Sequence, residues 1–257
     1  MSASELFDVA GKRAVVTGGG SGIGTMIASG FVDAGVSVII ASRKEDSLRE
    51  VAEDLASRGD CSYIVADLST EEGCRGLGAA VSERWDSLDV LVNNAGANWG
   101  APLADQDSKS WHRVLDVNVE GVFHTTKFLL PLLQAAGTEE EPARIINIGS
   151  VDGIQVPGFE TYAYAASKAA VHQLTRHLAK HLAPTVTVNA IAPGPFQSRM
   201  MKATLEAAGD GMERMMPLKR IGRPEDMAGP AIFLSSKAGA FLTGTIIPVD
   251  GGLATTK

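Results

Sequence analysis

Short apolar runs rich in β-branched residues recur along the chain, and segments with helical periodicity separate them. Several of the runs are apolar almost without interruption, which is typical of parallel strands covered on both faces. Strands are predicted at 13–18, 36–42, 61–67, 88–94, 143–150, 185–193 and 244–250. Helices are predicted at 44–57, 70–84, 109–135 and 160–182. This alternation predicts an α/β fold, a doubly wound parallel sheet of about seven strands with helices on both faces.

The composition fits one globular domain over residues 1–257. Hydrophobic residues make up 45% of the chain and charged residues 21%, ordinary values for a protein with a real core. No linker, repeat or low-complexity tract divides it. The net charge of −7, together with the lack of a basic run, argues against a nucleic-acid partner.

Neither a membrane span nor a metal site is expected. The chain has no run of about eighteen apolar residues, and its N-terminal segment lacks the apolar core of a signal peptide. The two cysteines, Cys61 and Cys74, form no C-x-x-C pair, which favours a cytoplasmic protein with reduced thiols. The five histidines show no metal-ligand spacing with carboxylates or thiols.

A glycine-rich turn follows the first predicted strand. Residues 17–24 read T-G-G-G-S-G-I-G and lead directly into helix. The glycines permit a tight turn and close approach of a pyrophosphate, and the helix N-terminus supplies free N–H groups and partial positive charge. The spacing is G-x-x-x-G-x-G rather than G-x-G-x-x-G, but its place between the first strand and helix predicts a dinucleotide site. The binding residues predicted in this turn are Gly18, Ser21, Gly22, Ile23 and Gly24.

The end of the second predicted strand indicates which dinucleotide is bound. A carboxylate there would accept from the 2′-hydroxyl of NAD, whereas an arginine would accommodate the 2′-phosphate of NADP. The chain reads Ala41-Ser42-Arg43-Lys44, with no carboxylate and with a planar cation suited to phosphate in Arg43. NADP (NADPH) is therefore favoured over NAD, with Ser42 and Arg43 at the cofactor. Ser21 stands where a second basic residue would strengthen this interpretation.

Two tyrosines and a lysine stand in the alanine-rich stretch ETYAYAASKAA, residues 160–170. Alanine favours helix, and residues four apart on a helix share one face, so Tyr164 adjoins Lys168 while Tyr162 points away. A cation beside a phenol favours the phenolate. Alone, such a pair is more often a surface contact than a catalytic unit, and other motifs must decide.

The order and spacing of several short motifs resemble the short-chain dehydrogenase/reductase family over nearly the whole chain. Within the family the chain is similar to 3-oxoacyl reductases, particularly the ketoacyl reductase type associated with rhamnolipid synthesis. That closer likeness lies in the segments ARIINIGS, YAYAASKAAVHQL and NAIAPGPFQSRM. The resemblance implies a single Rossmann domain and an NADP(H)-dependent interconversion of a ketone and a secondary alcohol. The matching elements are T-G-x-x-x-G-I-G at 17–24, Asp67, N-N-A-G at 93–96, Asn118, Ser150, Tyr164-x-x-x-Lys168, Pro193-Gly194 and D-G-G at 250–252.

The resemblance implies four catalytic residues. Tyr164 would protonate the carbonyl oxygen as hydride arrives, and Lys168 would help a phenol whose ordinary pKa is about 10 to exchange protons near neutrality. Ser150 would orient the carbonyl by a hydrogen bond where oxyanion character develops. Asn118 would position a water that links Lys168 to solvent.

The resemblance also implies contacts along the whole cofactor. Asp67 would bond the adenine amino group, and Ser198, where relatives often carry threonine, would bond the carboxamide. The contacts implied, from adenine to nicotinamide, are Asp67 and Leu68, then Asn94, Ala95 and Gly96, then Tyr164 and Lys168, and finally Pro193, Gly194 and Ser198.

Substrate choice is expected to depend on 97–103, 151–162 and 195–220. The last segment is rich in methionine, which suits either a lid over an acyl chain or the packing of a helical excursion. Reduction of a 3-oxoacyl thioester and turnover of another secondary alcohol or ketone (a sugar acid, a steroid or a small xenobiotic) both stay open. A complete Ser–Tyr–Lys set disfavours a third interpretation, a non-catalytic redox sensor, because a sensor needs no proton donor.

The assembly expected from the resemblance is a homotetramer. In the family, the outer faces of the helices corresponding to 109–135 and 160–182 pair between subunits. The second of these segments carries apolar residues beyond one inward stripe, namely Ala166, Ala170, Leu174 and Leu178.

An acidic run, Glu139-Glu140-Glu141, precedes the fifth predicted strand. Carrier-dependent reductases tend to place basic side chains there, near the mouth of the active site, to meet an acidic acyl carrier protein. Carboxylates at that place would repel such a partner. We therefore expect free or CoA-linked ketones to serve at least as well as carrier-bound substrates.

Overall fold

The structure, a computed structural model, describes residues 2–197, 211, 213, 214 and 216–256. Seven parallel strands form one sheet in the order β3-β2-β1-β4-β5-β6-β7, so the predicted doubly wound Rossmann-type fold is confirmed. The strands are β1 Arg13–Thr17, β2 Ser37–Ser42, β3 Cys61–Val65, β4 Val90–Asn93, β5 Ala143–Ile148, β6 Val186–Pro193 and β7 Ile246–Val249.

Helices cover both faces of this sheet. In the described part of the chain none of them is both long and apolar enough to cross a membrane. Within the described residues the α-helices are α1 Ala3–Leu6, α2 Gly22–Asp33, α3 Glu45–Ala56, α4 Glu71–Ser82, α5 Ser108–Leu115, α6 Gly121–Ala136, α7 Tyr162–Leu182 and α8 Pro224–Ser235.

The helix predicted over 109–135 is confirmed, but its middle departs from α-helical geometry. A π-helix, Asp116–Glu120, joins α5 to α6, and its buried member is Asn118. A π-turn adds one residue to the ring closed by each backbone hydrogen bond, so it changes the direction of side chains relative to a regular helix. Periodicity over the whole segment does not reveal such a local change.

Two apolar layers explain why the strands are hydrophobic almost without alternation. Neighbouring residues of β1 serve opposite layers: Val16 belongs to the layer that contains Phe31 of α2, and Val15 to the layer that contains Leu129 of α6. Both faces of the sheet are thus removed from water, the usual state of a parallel sheet.

The strand order reverses between β1 and β4, where β2 and β3 lie on one side and β5 to β7 on the other. In open α/β sheets, ligands bind beyond the carboxyl ends of the strands at this switch point. The fold therefore places the candidate site at the ends of β1, β4 and β5.

The acidic run 139–141 lies at the opposite edge of the sheet, so the expectation that it flanks the active-site mouth is wrong. It precedes the amino end of β5, and Glu141 pairs there with Lys12, which precedes β1, at 2.9 Å. The six residues of β5 separate this edge from the site by about 20 Å. The run therefore gives no evidence about the carrier of the substrate.

Candidate active site

A cavity of about 1280 Å³ opens at the carboxyl ends of the strands. It is large enough for a dinucleotide and a substrate together. The structure brings most of the predicted site residues to its wall: Gly18, Ser21, Gly22, Ile23, Ser42, Arg43, Asp67, Leu68, Asn94, Ala95, Gly96, Ser150, Tyr164, Lys168, Pro193 and Gly194.

The glycine turn presents an uncapped helix N-terminus to this cavity. Ser21 occupies the N-cap position of α2 but makes no side-chain capping bond, and no acidic residue stands in the first turn. The helix therefore keeps free N–H donors for an anion. Gly24 lies behind the turn rather than on the cavity wall, and a Cβ there would sit 2.4 Å from the carbonyl oxygen of Gly18. Glycine at 24 thus allows the turn to lie against the helix.

Thr17 joins the first strand to the N-N-A-G segment, a role that the sequence did not reveal. Its hydroxyl donates to the carbonyl of Val92 and accepts from the backbone N–H groups of Asn94 and Ala95, at 2.9 and 3.0 Å. The side chain of Asn94 returns a bond of 2.8 Å to the carbonyl of Thr17. These bonds hold the loop after β4 against the glycine turn, where a cofactor ribose would lie.

Arg43 and Asp67 face each other at the adenosine end of the cavity. The guanidinium Nε lies 3.9 Å from the Asp67 carboxylate, which also accepts two bonds from Ser69. Burial opposes ionisation of Asp67, but the bonds from Ser69 and the charge of Arg43 outweigh it and lower the pKa of the carboxyl. The largely exposed guanidinium keeps donors for a phosphate on a ribose 2′-oxygen.

Lys168 is held at the reactive end by the sheet itself. Its ammonium, on a side chain only 5% exposed, donates to the backbone carbonyl of Ile148 at 2.7 Å and lies 5.5 Å from the ring centroid of Tyr164. Burial lowers the pKa of Lys168 to about 8, and the nearby Asp152 carboxylate opposes that shift. Lys168 can thus exchange a proton closer to neutral pH than an exposed lysine can.

Tyr164 and Ser150 line the same cavity, and the serine hydroxyl acts on the phenol. Burial raises the pKa of Tyr164 to about 12, the Ser150 hydroxyl acts to lower it, and the Asp152 carboxylate acts to raise it. The Ser150 hydroxyl also accepts from the backbone N–H of Asp152 at 3.1 Å. Two hydroxyl groups therefore converge where a carbonyl oxygen can be bound and protonated.

Asn118 does not line the cavity. Its side chain instead joins the π-helix to the loop after β4 and to α7. Its amide oxygen accepts from the N–H of Ala97 at 2.8 Å, and its amide nitrogen donates to the carbonyl of Ala97 and to the hydroxyl of Ser167. The side chain is thus engaged with protein on both its oxygen and its nitrogen. The water-positioning role of Asn118 stays a prediction.

Two predicted features fall on the segment after β6. Ser198 lies outside the described residues, as does most of the methionine-rich lid predicted over 195–220. Met216 is described and is 1% exposed, and it lies near Gly251.

Several residues that line the cavity could not be identified from sequence motifs. Asp152 stands in the 3₁₀-turn Val151–Gly153, and Glu160 links two rim loops by accepting from the Leu103 N–H and the Tyr162 hydroxyl. Both lie within the 151–162 segment assigned to substrate choice, but their residue types did not distinguish them there. Among the described residues, no group of three or more potential ligands could hold a metal ion.

Comparison with known proteins finds a matching family model, similar sequences and a similar solved structure. A family model described as enoyl-(acyl carrier protein) reductase matches residues 18–254. The chain is 48% identical to a rhamnolipids biosynthesis 3-oxoacyl-[acyl-carrier-protein] reductase of Pseudomonas aeruginosa, over 96% of this chain and 97% of that one. It is 35% identical to a 3-oxoacyl-[acyl-carrier-protein] reductase of Thermotoga maritima, over 95% and 98% of the two chains. A solved Pseudomonas aeruginosa RhlG/NADP active-site complex superposes with a TM-score of 0.94 at 47% identity, covering 97% of this chain and 99% of that one.

Proposed function

The chain belongs to the short-chain dehydrogenase/reductase family, and we propose that it reduces the 3-oxo group of an acyl thioester, or a similar neutral ketone, to a secondary alcohol with NADPH. It is an NADP-dependent oxidoreductase that acts on CH–OH groups. The choice of an acyl substrate is the part of the proposal that depends on this chain's own site.

The observation that carries the proposal is the apolar mouth of the cavity. Val156 is 92% exposed and Phe159 is 59% exposed, and both line the opening together with Pro157. Large apolar side chains left in water at a ligand cavity indicate a surface that a ligand covers. An acyl chain that leaves the reactive end would cover these side chains.

The charges at the reactive end support a neutral substrate. The carboxylate of Asp152 lines this part of the cavity, that of Glu160 lies on the rim, and the ammonium of Lys168 is already engaged with a backbone carbonyl. Among the described residues no free cation is placed there to receive the carboxylate of a sugar acid. A thioester brings no charge next to the reacting carbonyl, so its binding costs no repulsion.

The chemistry assigns one task to each residue. Bound NADPH would supply the hydride. Ser150 would donate a hydrogen bond to the carbonyl oxygen, and Tyr164 would transfer its phenolic proton to that oxygen as negative charge develops. Lys168 would stabilise the resulting phenolate until a proton returns from solvent.

Steady-state turnover with NADPH would test the proposal. The panel would contain 3-oxoacyl groups of matched length on CoA and on acyl carrier protein, a keto sugar acid, a steroid ketone and a small cyclic ketone. We expect the highest kcat/KM for the thioesters, rising with acyl length as more of the rim is covered. A higher kcat/KM for the sugar acid or the steroid would contradict the acyl assignment, and nucleotide binding without turnover of any ketone would indicate a sensor.

We also propose a homotetramer, which the outer faces of α6 and α7 support. Phe123 of α6 is exposed, as is Ala166 of α7, while Ala170, Leu174 and Leu178 are half-buried. Apolar side chains along two long helices suit pairing with a second copy. Light scattering would give a mass of about four chains, and a stable monomer at micromolar concentration would refute this assembly.

A cytoplasmic location is proposed from the thiols. Cys61 and Cys74 are both free, and burial raises the pKa of Cys61 to about 11. Unpaired cysteines are usual in a reducing compartment. Fractionation of producing cells would test this location.

A further inference from the structure

The catalytic pair has a third charged neighbour that the reaction proposed above does not use. Asp152 lies two residues after Ser150, in the 3₁₀-turn Val151–Gly153, and lines the same cavity as Tyr164 and Lys168. We propose that Asp152 is a positioning residue that keeps Lys168 charged and Tyr164 protonated, the state that reduction requires.

The fold holds this carboxylate in place through the backbone. The Asp152 N–H donates to the Ser150 hydroxyl at 3.1 Å, and the Gly153 N–H donates to the Ser150 carbonyl at 3.0 Å. The turn lies directly on α7, since a Cβ at Gly153 would sit 2.7 Å from the carbonyl carbon of Lys168. The turn that presents the Ser150 hydroxyl therefore also packs Asp152 against the part of α7 that carries Lys168.

The charge of Asp152 affects the protonation of Lys168 and Tyr164 in the same direction. Burial raises the pKa of Asp152 and the charge of Lys168 lowers it, while Asp152 raises the pKa of both Lys168 and Tyr164. A negative charge stabilises the ammonium and disfavours the phenolate. Both effects retain a proton on the pair, so Asp152 would extend the reduction-competent state to higher pH and delay the state needed for oxidation.

The other groups that face Lys168 do not replace this charge. On its own helix are Tyr164 and His172, and burial lowers the pKa of His172 to about 4, so that imidazole is neutral. Strand β5 offers the backbone carbonyl of Ile148, and the π-helix offers the amide of Asn118, bonded to Ser167 beside the lysine. In the described part of the chain, Asp152 is thus the anion that acts on the pair.

The inference rests on the proposed role of Tyr164 as proton donor, and its test includes a readout that needs no turnover. The chain has 3 tyrosines. A Tyr63→Phe/Tyr162→Phe background leaves Tyr164 as the sole tyrosine, whose ionisation is followed by tyrosinate absorbance after rapid pH jumps. Asp152→Asn and Asp152→Glu are compared in that background, with Asp105→Asn, an exposed carboxylate outside the cavity wall, as the matched control.

We expect Asp152→Asn to lower the Tyr164 titration midpoint by about one pH unit, with Asp152→Glu and Asp105→Asn close to the parent. The alkaline limb of kcat/KM for reduction should move to lower pH by a similar amount, with little change in the KM for NADPH. Asp152→Ser gives the same test if the Asn side chain disturbs the turn. An unmoved midpoint in both neutral variants would overturn the inference while leaving the reductase proposal intact. A moved midpoint in a protein that reduces no ketone would support the inference and remove the proposed function.

Discussion

The hydroxyl of Tyr162 donates a 2.9 Å hydrogen bond to the carboxylate of Glu160, on the rim of the cavity and two residues from the phenol that lies inside it. This bond raises the pKa of Tyr162, whereas the ring of Tyr164 has the Lys168 ammonium 5.5 Å from its centroid. The first turn of α7 thus carries two tyrosines whose phenol groups have different partners.

The first prediction separates these two tyrosines. Tyr164→Phe should lower kcat by roughly 10²- to 10⁴-fold, because the proton donor is lost while the contacts to the nucleotide phosphates remain. NADPH affinity, measured by fluorescence titration, should stay within a few-fold. Tyr162→Phe is the matched control and should be mild. Comparable losses in the two variants would mean that the wrong tyrosine has been chosen.

The second prediction concerns the cofactor. Arg43→Leu should raise the KM for NADPH by roughly ten- to a hundredfold, because a charge-assisted contact to the 2′-phosphate is removed. Arg43→Asp should in addition improve the use of NADH, since its carboxylate can accept from a 2′-hydroxyl. Asp67 lies 3.9 Å from Arg43, so this second variant also brings two carboxylates together and should weaken NADPH further.

Arg49 supplies the control for that experiment, because it is a partly exposed arginine on α3 that pairs with Asp46 instead. Arg49→Ala should leave the ratio of kcat/KM for NADPH and NADH unchanged. A parent enzyme that already prefers NADH would refute the assignment of Arg43.

The third prediction follows from the buried imidazole of His172. Burial lowers the pKa of His172 to about 4 from an ordinary value of 6.5, so between these values the unfolded chain binds a proton that the folded chain does not. The free energy of unfolding should therefore fall as pH drops from 6.5 towards 4, by roughly 3 kcal/mol from this group, and level off below.

His172→Gln should remove that part of the pH dependence, whatever it does to stability at neutral pH. The measurement is urea unfolding at a series of pH values, with the exposed His112→Gln as control. Parallel stability curves for His172→Gln and the parent would show that this imidazole does not stay neutral in the fold.

The fourth prediction concerns the acidic run. Since Glu141 pairs with Lys12 at the amino edge of the sheet, Glu139→Lys combined with Glu140→Lys should not alter kcat/KM for a carrier-bound 3-oxoacyl substrate. CoA-linked substrate of the same chain length is the internal reference. A salt-sensitive gain confined to the carrier-bound form would place the run at a docking surface after all.

The sequence by itself determined the features that depend on local periodicity. Parallel strands covered on both faces leave continuous apolar runs, a helix brings residues four apart together, and a phosphate-binding turn needs glycine at set places. For this reason the seven-stranded sheet, the glycine turn before α2 and the Tyr164–Lys168 pair could all be predicted.

Only the tertiary structure decided which elements meet. Whether Asp152 and Lys168 line the same cavity, whether Asn118 bonds to Ser167, and which edge of the sheet carries Glu141 depend on packing between elements of the fold. The sequence around a loop carboxylate is the same whether that carboxylate faces solvent or a cavity that holds a buried ammonium. Its effect on catalysis comes from distance and burial, and the folded chain alone sets both.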